Sequence, residues 1–74
     1  MRVISVSRGT YEGKNWCKVV FIGDSMTDNN SFGNYVRSAK ADYKLYDDLV
    51  VCCRDQIEVQ PRCDFYGKVV ALDY

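Results

Sequence analysis

Residues 8–21 read RGTYEGKNWCKVVF and alternate two kinds of side chain after the glycine-containing turn. Side chains on a strand point alternately to opposite faces, so the pattern predicts that Trp16 and Lys18 share one face. The opposite face takes smaller apolar residues: Cys17, Val19 and Phe21. An exposed indole beside a cation is typical of surfaces that stack bases and neutralise phosphates. The alternative is a strand of opposite phase, with Trp16 as a core anchor.

Short runs bounded by turn residues continue along the chain and predict a mainly β domain. Residues 23–34 hold few apolar side chains and are predicted to form a long central loop. Helical and extended patterns overlap within residues 39–51, which favours a short helix or an irregular connection. Pro61 is expected to end strand pairing because it lacks an N–H donor. The predicted extended runs are residues 2–10, 15–22, 35–40, 49–53, 56–60 and 69–72, with turns at 11–14 and 63–68.

About five short strands, the central loop and the uncertain connection fit a five-stranded OB-like barrel over residues 1–74 as a single domain. Another small barrel, such as an SH3-like one, fits the same pattern. A barrel leaves no long edge unpaired and needs a thin core, which suits a chain of 74 residues. A domain this small hides only about 60% of its unfolded surface, so we expect a homodimer.

The formal net charge is zero, but the charges are unevenly distributed. Residues 1–44 carry seven Lys and Arg against four Asp and Glu, whereas residues 45–74 carry three against six. Phosphate binding depends on local clusters of cations rather than on net charge, so a basic face is compatible with a neutral chain. Ordinary scatter of charged residues is the alternative.

The sequence lacks the residues that several classes of function require. The chain has no histidine, no nucleophile beside an identifiable base and no glycine-rich phosphate loop, so we expect no enzyme activity, metal or cofactor. No apolar run is long enough for an export signal or a membrane span. We therefore expect a cytoplasmic protein with no membrane contact, in which all four cysteines are free thiols.

Eight residues are candidates for nucleic-acid contact. Trp16, Tyr35 and Tyr11 offer aromatic faces to bases, and Tyr35 shares its strand face with Arg37 by alternation. The remaining candidates are cations that would contact phosphates. The predicted site comprises Arg8, Tyr11, Lys14, Trp16, Lys18, Tyr35, Arg37 and Lys40. The alternative for the cations is a solvated basic face. The other aromatic residues are expected to pack in the core or in turns: Phe21, Phe32, Phe65 and Tyr66.

Residues 8–16 and 64–70 resemble the small single-stranded DNA-binding proteins of bacteriophages and mobile elements, of the filamentous-phage helix-destabilising type. Residues 13–16, Gly-Lys-Asn-Trp, match the family's Gly-Lys-x-aromatic step residue for residue. The resemblance implies a dimeric OB-like barrel in which Trp16 stacks on bases. It also implies that the protein coats single-stranded DNA during replication in a bacterial cell.

Two other partners fit the same residues. Single-stranded RNA is one, because stacking platforms accept either nucleic acid and only 2′-hydroxyl contacts discriminate. A protein is the other, because Trp, Tyr and Arg are also enriched in the hot spots of protein interfaces. In that case the chain would be a small interaction module or an inhibitor of a host protein.

Overall fold

A computed structural model describes residues 1–27 and 32–74, with side chains described for residues 1–23 and 36–74. These residues form a mainly β fold, which confirms the predicted class. The elements are β1 (Arg2–Tyr11), β2 (Lys14–Thr27), β3 (Phe32–Ala41), a single 3₁₀ turn (Tyr43–Leu45), α1 (Tyr46–Arg54), β4 (Gln60–Cys63) and β5 (Val69–Asp73).

The five strands form one sheet in the order β1-β2-β3-β5-β4. Neighbouring strands are antiparallel except β3 and β5, which run parallel and pair at Ala41 and Val69. The segment that leads into β4 returns to the start of β1. There Glu58 forms an isolated bridge with Arg2, and the Val59 N–H donates to the Met1 carbonyl at 2.7 Å.

The β1–β2 turn lies where the sequence predicts it. Tyr11 pairs with Lys14, and the two residues between them have positive φ, 50° at Glu12 and 76° at Gly13. Two successive positive φ values give the two-residue hairpin turn whose twist matches that of the flanking strands. Gly13 adopts this conformation without steric cost, whereas Glu12 must accept it.

The predicted loop over residues 23–34 is wrong at both of its ends. Residues 23–27 extend β2 and residues 32–34 begin β3, while residues 28–31 lie outside the described part of the chain. The two strands pair across an irregularity between Ile22 and Ser25. Backbone hydrogen bonding, which needs no apolar side chains, therefore prolongs strands that the composition assigned to a loop.

The predicted strand at residues 49–53 is also wrong, because these residues belong to α1. Leu49 and Cys52 are buried at helical spacing, on a helix that packs against β1. Asp47 and Asp48 occupy the first turn and Arg54 the last, where each charge is favoured by the helix dipole. A run of five apolar residues suits either structure, and packing against the sheet selects the helix.

Chain direction changes after α1 at a residue with positive φ. Gln56 has a φ of 53°, and the following Ile57 N–H donates to the Cys52 carbonyl at 3.0 Å, as in a Schellman motif. The prediction that Pro61 ends the pairing is wrong, because Pro61 lies inside β4 and pairs with Leu72. β4 is last in the sheet order, and a proline is tolerated there because one side of such a strand needs no N–H donor.

The core lies between the sheet and α1. It contains the face of β2 that alternation assigned to the interior, together with residues of the other elements. The buried residues are Val3, Cys17, Val19, Phe21, Ala41, Leu49, Cys52, Val59 and Val69. All four cysteines are free: Cys17 and Cys52 are buried, Cys53 is half-buried and Cys63 is exposed.

Candidate nucleic-acid interface

Trp16 lies on the outer face of β2, with 42% of its surface exposed. It pairs with Gly9 of β1, and its indole covers that glycine so closely that a Cβ on Gly9 would lie 2.5 Å from Trp16 Cζ2. Cys17, its neighbour in the chain, is buried on the opposite face. The tryptophan is therefore not a core anchor; it is held on the surface, with one side of its ring against the β1 backbone.

A groove of about 700 Å³ lies beside Trp16, where β2 begins and β3 ends. Lys18 and Lys40 form a direct pair across β2 and β3 and therefore share one face of the sheet. The structure brings five predicted site residues together along this groove: Tyr11, Lys14, Trp16, Lys18 and Lys40. The first hairpin and its pairing to β3 bring these five residues together, and their contact with nucleic acid stays a prediction.

The groove also contains residues that the sequence analysis missed. It is lined by Tyr43 from the 3₁₀ turn and by Lys68, which directly precedes β5. Ion pairs between described side chains involve neither Lys68 nor the three predicted lysines of the groove. Glu12 is the acidic side chain in the lining, so four lysines face one carboxylate and the groove is net basic.

A second groove of about 640 Å³ adjoins the first and shares Lys40 and Lys68 with it. Tyr66 and Arg37 lie in its lining. Arg37 pairs with the buried Phe21 and so lies on the face of the sheet opposite Trp16. Its Nη2 donates to Cys63 Sγ at 3.3 Å. The predicted stacking residue Tyr35 belongs to β3, but its side chain lies outside the described residues.

Arg8 does not line the first groove, in contrast to the other predicted residues of the hairpin. It pairs with Cys17 and therefore faces the interior side of the sheet. Its guanidinium carbon lies 4.1 Å from the ring centroid of Tyr46 and 5.9 Å from that of Tyr43. Both distances are within the range of cation–π attraction.

The β4–β5 turn presents two aromatic rings to solvent. Phe65 is 95% exposed and Tyr66 89% exposed, so neither lies in the core; the rings contact each other edge to face at 5.5 Å. Asp64 organises the turn, because its Oδ1 accepts hydrogen bonds from the backbone N–H groups of Tyr66 and Lys68, both at 2.9 Å. Gly67 adopts a φ of 83° at the position where the sequence expects a turn glycine.

Burial raises the pKa of the Cys17 thiol above its ordinary value of 9.0, Arg8 acts in the opposite direction, and Asp42 adds to the rise. The thiol under the groove is therefore protonated and uncharged at neutral pH. Within residues 1–27 and 32–74, no cluster of three or more His, Cys, Asp or Glu side chains could hold a metal ion. The helices described are too short or too polar to cross a membrane.

No protein-family model, curated protein or solved structure matches the chain.

Proposed function

We propose that this protein binds single-stranded DNA along the groove beside Trp16, with little sequence preference. The observation that carries the proposal is an indole fixed on the outer face of a strand and surrounded by lysines without ion-pair partners among the described side chains. Each base stacked on an aromatic side chain contributes about 1–3 kcal/mol, and every base has a face that can stack. The lysines supply phosphate contacts, which carry no sequence information.

An OB-like barrel is the fold that we propose for this function. Three features support it: the strand order, the parallel pairing of β3 with β5, and the position of α1 between β3 and β4. An isolated bridge also joins Arg2 of β1 to Glu58, in the segment that precedes β4. In OB-folds, oligonucleotides bind across strands 2 and 3 and the loops between strands 1 and 2 and between strands 4 and 5. Apart from Tyr43, which belongs to the 3₁₀ turn, the groove residues here come from the same strands and turns.

The biological role that fits this activity is to coat or protect single strands during replication of a phage or mobile element. The resemblance of residues 8–16 to helix-destabilising proteins supports that role. Four unpaired thiols fit a reducing compartment, such as the cytoplasm of a bacterial host. Single-stranded RNA would satisfy the same stacking and phosphate contacts, so we include it as a ligand to be compared.

Homodimerisation is part of the proposal. The outer face of the sheet is basic near Trp16, and its other end carries several apolar side chains beside Arg2. Val36 and Ile4 are exposed there, and Val20 and Ile22 are half-buried. Apolar surface gathered on one face favours association with a second copy. Light scattering coupled to size-exclusion chromatography measures the mass. A monomeric mass would contradict homodimerisation but would not contradict the proposed DNA binding.

The decisive experiment is a titration of the protein with oligo-dT and with duplex DNA at two salt concentrations. Trp16 is the sole tryptophan, so its fluorescence reports directly on the groove. We expect quenching by the single strand, weaker binding at higher salt and a preference over duplex. A folded sample that does not bind oligo-dT at low salt would overturn the proposal.

A second candidate function is binding to a protein, as an interaction module or an inhibitor of a host protein. The exposed Phe65 and Tyr66 favour it, because aromatic side chains dominate the centres of protein interfaces. Substitution of both by serine separates the two candidates. Capture of a specific protein that survives nuclease treatment and is lost in this variant would favour the protein partner.

A further inference from the structure

Arg8 occupies an unusual position for a surface cation beside a basic groove. Its guanidinium carbon is 4.1 Å from the Tyr46 ring centroid and 5.9 Å from the Tyr43 centroid. Ion pairs between described side chains do not include it. A planar guanidinium can stack on aromatic rings, and here it lies nearer to Tyr46 while remaining within cation–π range of Tyr43.

The backbone around Tyr43 is held on both sides. The Asp42 N–H donates to the Val69 carbonyl at 2.8 Å, which ties this segment to β5. The Asp42 side chain accepts a hydrogen bond from the Lys44 N–H at 3.0 Å. The backbone carbonyl of Asp42 accepts one from the Leu45 N–H at 2.9 Å. These hydrogen bonds fix the backbone of the turn, and Arg8 lies 5.9 Å from the Tyr43 ring centroid.

Tyr43 lines the same groove as Trp16 and keeps 37% of its surface exposed. Cys17 and Ala41, a directly paired couple of β2 and β3, also line the groove. Trp16 precedes Cys17 by one residue, and Tyr43 follows Ala41 by two.

We infer that Tyr43 is a second base-stacking residue of the groove and that Arg8 is the positioning residue that holds its ring there. The inference rests on the proposed function and refines it, because it replaces the predicted phosphate contact of Arg8 with a contact to protein. One strand of nucleic acid would then stack one base on Trp16 and another on Tyr43. The four lysines would take the phosphates.

The test uses fluorescein-labelled oligo-dT and an abasic deoxyribose-phosphate oligomer of equal length and charge. Tyr43→Leu is expected to weaken binding of oligo-dT by about tenfold or more and to leave binding of the abasic oligomer unchanged. Tyr74→Leu removes another exposed tyrosine, outside the groove lining, and serves as the matched control with unchanged affinity.

Arg8 is tested with Arg8→Met and Arg8→Lys. Arg8→Met is expected to weaken oligo-dT binding in the parent chain but not in the Tyr43→Leu background, with an unchanged salt dependence. Arg8→Lys keeps a cation near the rings and is expected to recover most of the loss. A reduced salt slope in Arg8→Met, with equal weakening for the abasic oligomer, would identify a phosphate ligand and overturn the inference.

A second measurement does not depend on the stability of Tyr43→Leu. In the double variant Trp16→Phe, Tyr43→Trp the single indole reports on position 43, and oligo-dT is expected to quench it. If anisotropy shows that the oligonucleotide binds but the indole at position 43 is not quenched, the inference is overturned and the proposed function is not. Failure of the parent chain to bind oligo-dT would overturn the proposed function, and the inference with it.

Discussion

The indole of Trp16 lies against Gly9, its cross-strand partner, with its six-membered ring over the position that a side chain would occupy. A Cβ on Gly9 would be 2.5 Å from Trp16 Cζ2 and 2.8 Å from Cε2. Such contacts are too short to persist, so only glycine permits this position of the ring. The position of the stacking ring therefore depends on Gly9, a residue that does not itself line the groove.

Gly9→Ala is expected to displace the indole and weaken oligo-dT binding by about tenfold, within the stacking range of one base. Gly9 does not have a positive φ, so alanine suits its backbone and the effect arises from the ring. Anisotropy of labelled oligo-dT gives the affinity, and the emission of Trp16 reports its new surroundings. Ser7→Ala, two residues earlier on the same face, is the control; equal effects of both variants would contradict the prediction.

Lys18→Gln and Lys40→Gln are each expected to reduce the salt dependence of single-strand binding. A lysine that neutralises one phosphate contributes about 0.7 to the slope of log K against log salt. Titrations at four or more salt concentrations measure that slope. Lys44→Gln removes an exposed lysine outside the groove lining and should leave the slope unchanged. The same slope in all variants would show that phosphates are bound elsewhere.

Glu12→Asn is expected to stabilise the fold and to strengthen binding. Glu12 has a φ of 50°, which asparagine tolerates better, so we expect about 0.5–1 kcal/mol of added stability. The same change removes the carboxylate from the basic groove. Urea unfolding gives the stability and anisotropy the affinity. Glu12→Gln removes the charge but does not favour positive φ as asparagine does, so it should raise the affinity without raising the stability.

Gln56→Gly is expected to stabilise the protein by about 0.5–1 kcal/mol, because Gln56 occupies the positive-φ position after α1 that favours glycine. The measurement is the midpoint of urea unfolding at neutral pH. Gln60→Gly, in β4, is the control and should destabilise, since glycine weakens a strand. A lower midpoint for Gln56→Gly would contradict the proposed strain.

Stability is expected to fall at high pH through Cys17. Its folded pKa lies above the ordinary value of 9.0, so the stabilisation is fully present below pH 9.0 and is lost as pH rises through the folded pKa. Within that window the unfolded chain binds fewer protons than the folded one. Urea unfolding from pH 7 upwards should show a shallower decline in Cys17→Ala than in the parent chain. Parallel declines would contradict the assignment.

The hairpin and its faces follow from the sequence alone. Alternation along a strand is a local property of the backbone, so residues 16–21 reveal which side chains are buried before any partner strand is known. Turn chemistry is equally local, and Gly13 and Gly67 both occupy the predicted turns with positive φ. The same reasoning failed over residues 49–53, because an apolar run without a clear period does not distinguish a strand from a helix.

Tertiary structure decided the composition of the site. Arg37 lies on the face opposite Trp16 because of its register with Phe21, which no local pattern encodes. Tyr43 and Lys68 join the groove through the parallel pairing of Ala41 with Val69, a contact between residues far apart in sequence. Local geometry determined which way Trp16 points; long-range strand pairing determined what stands beside it, because distant segments meet only when the whole sheet forms.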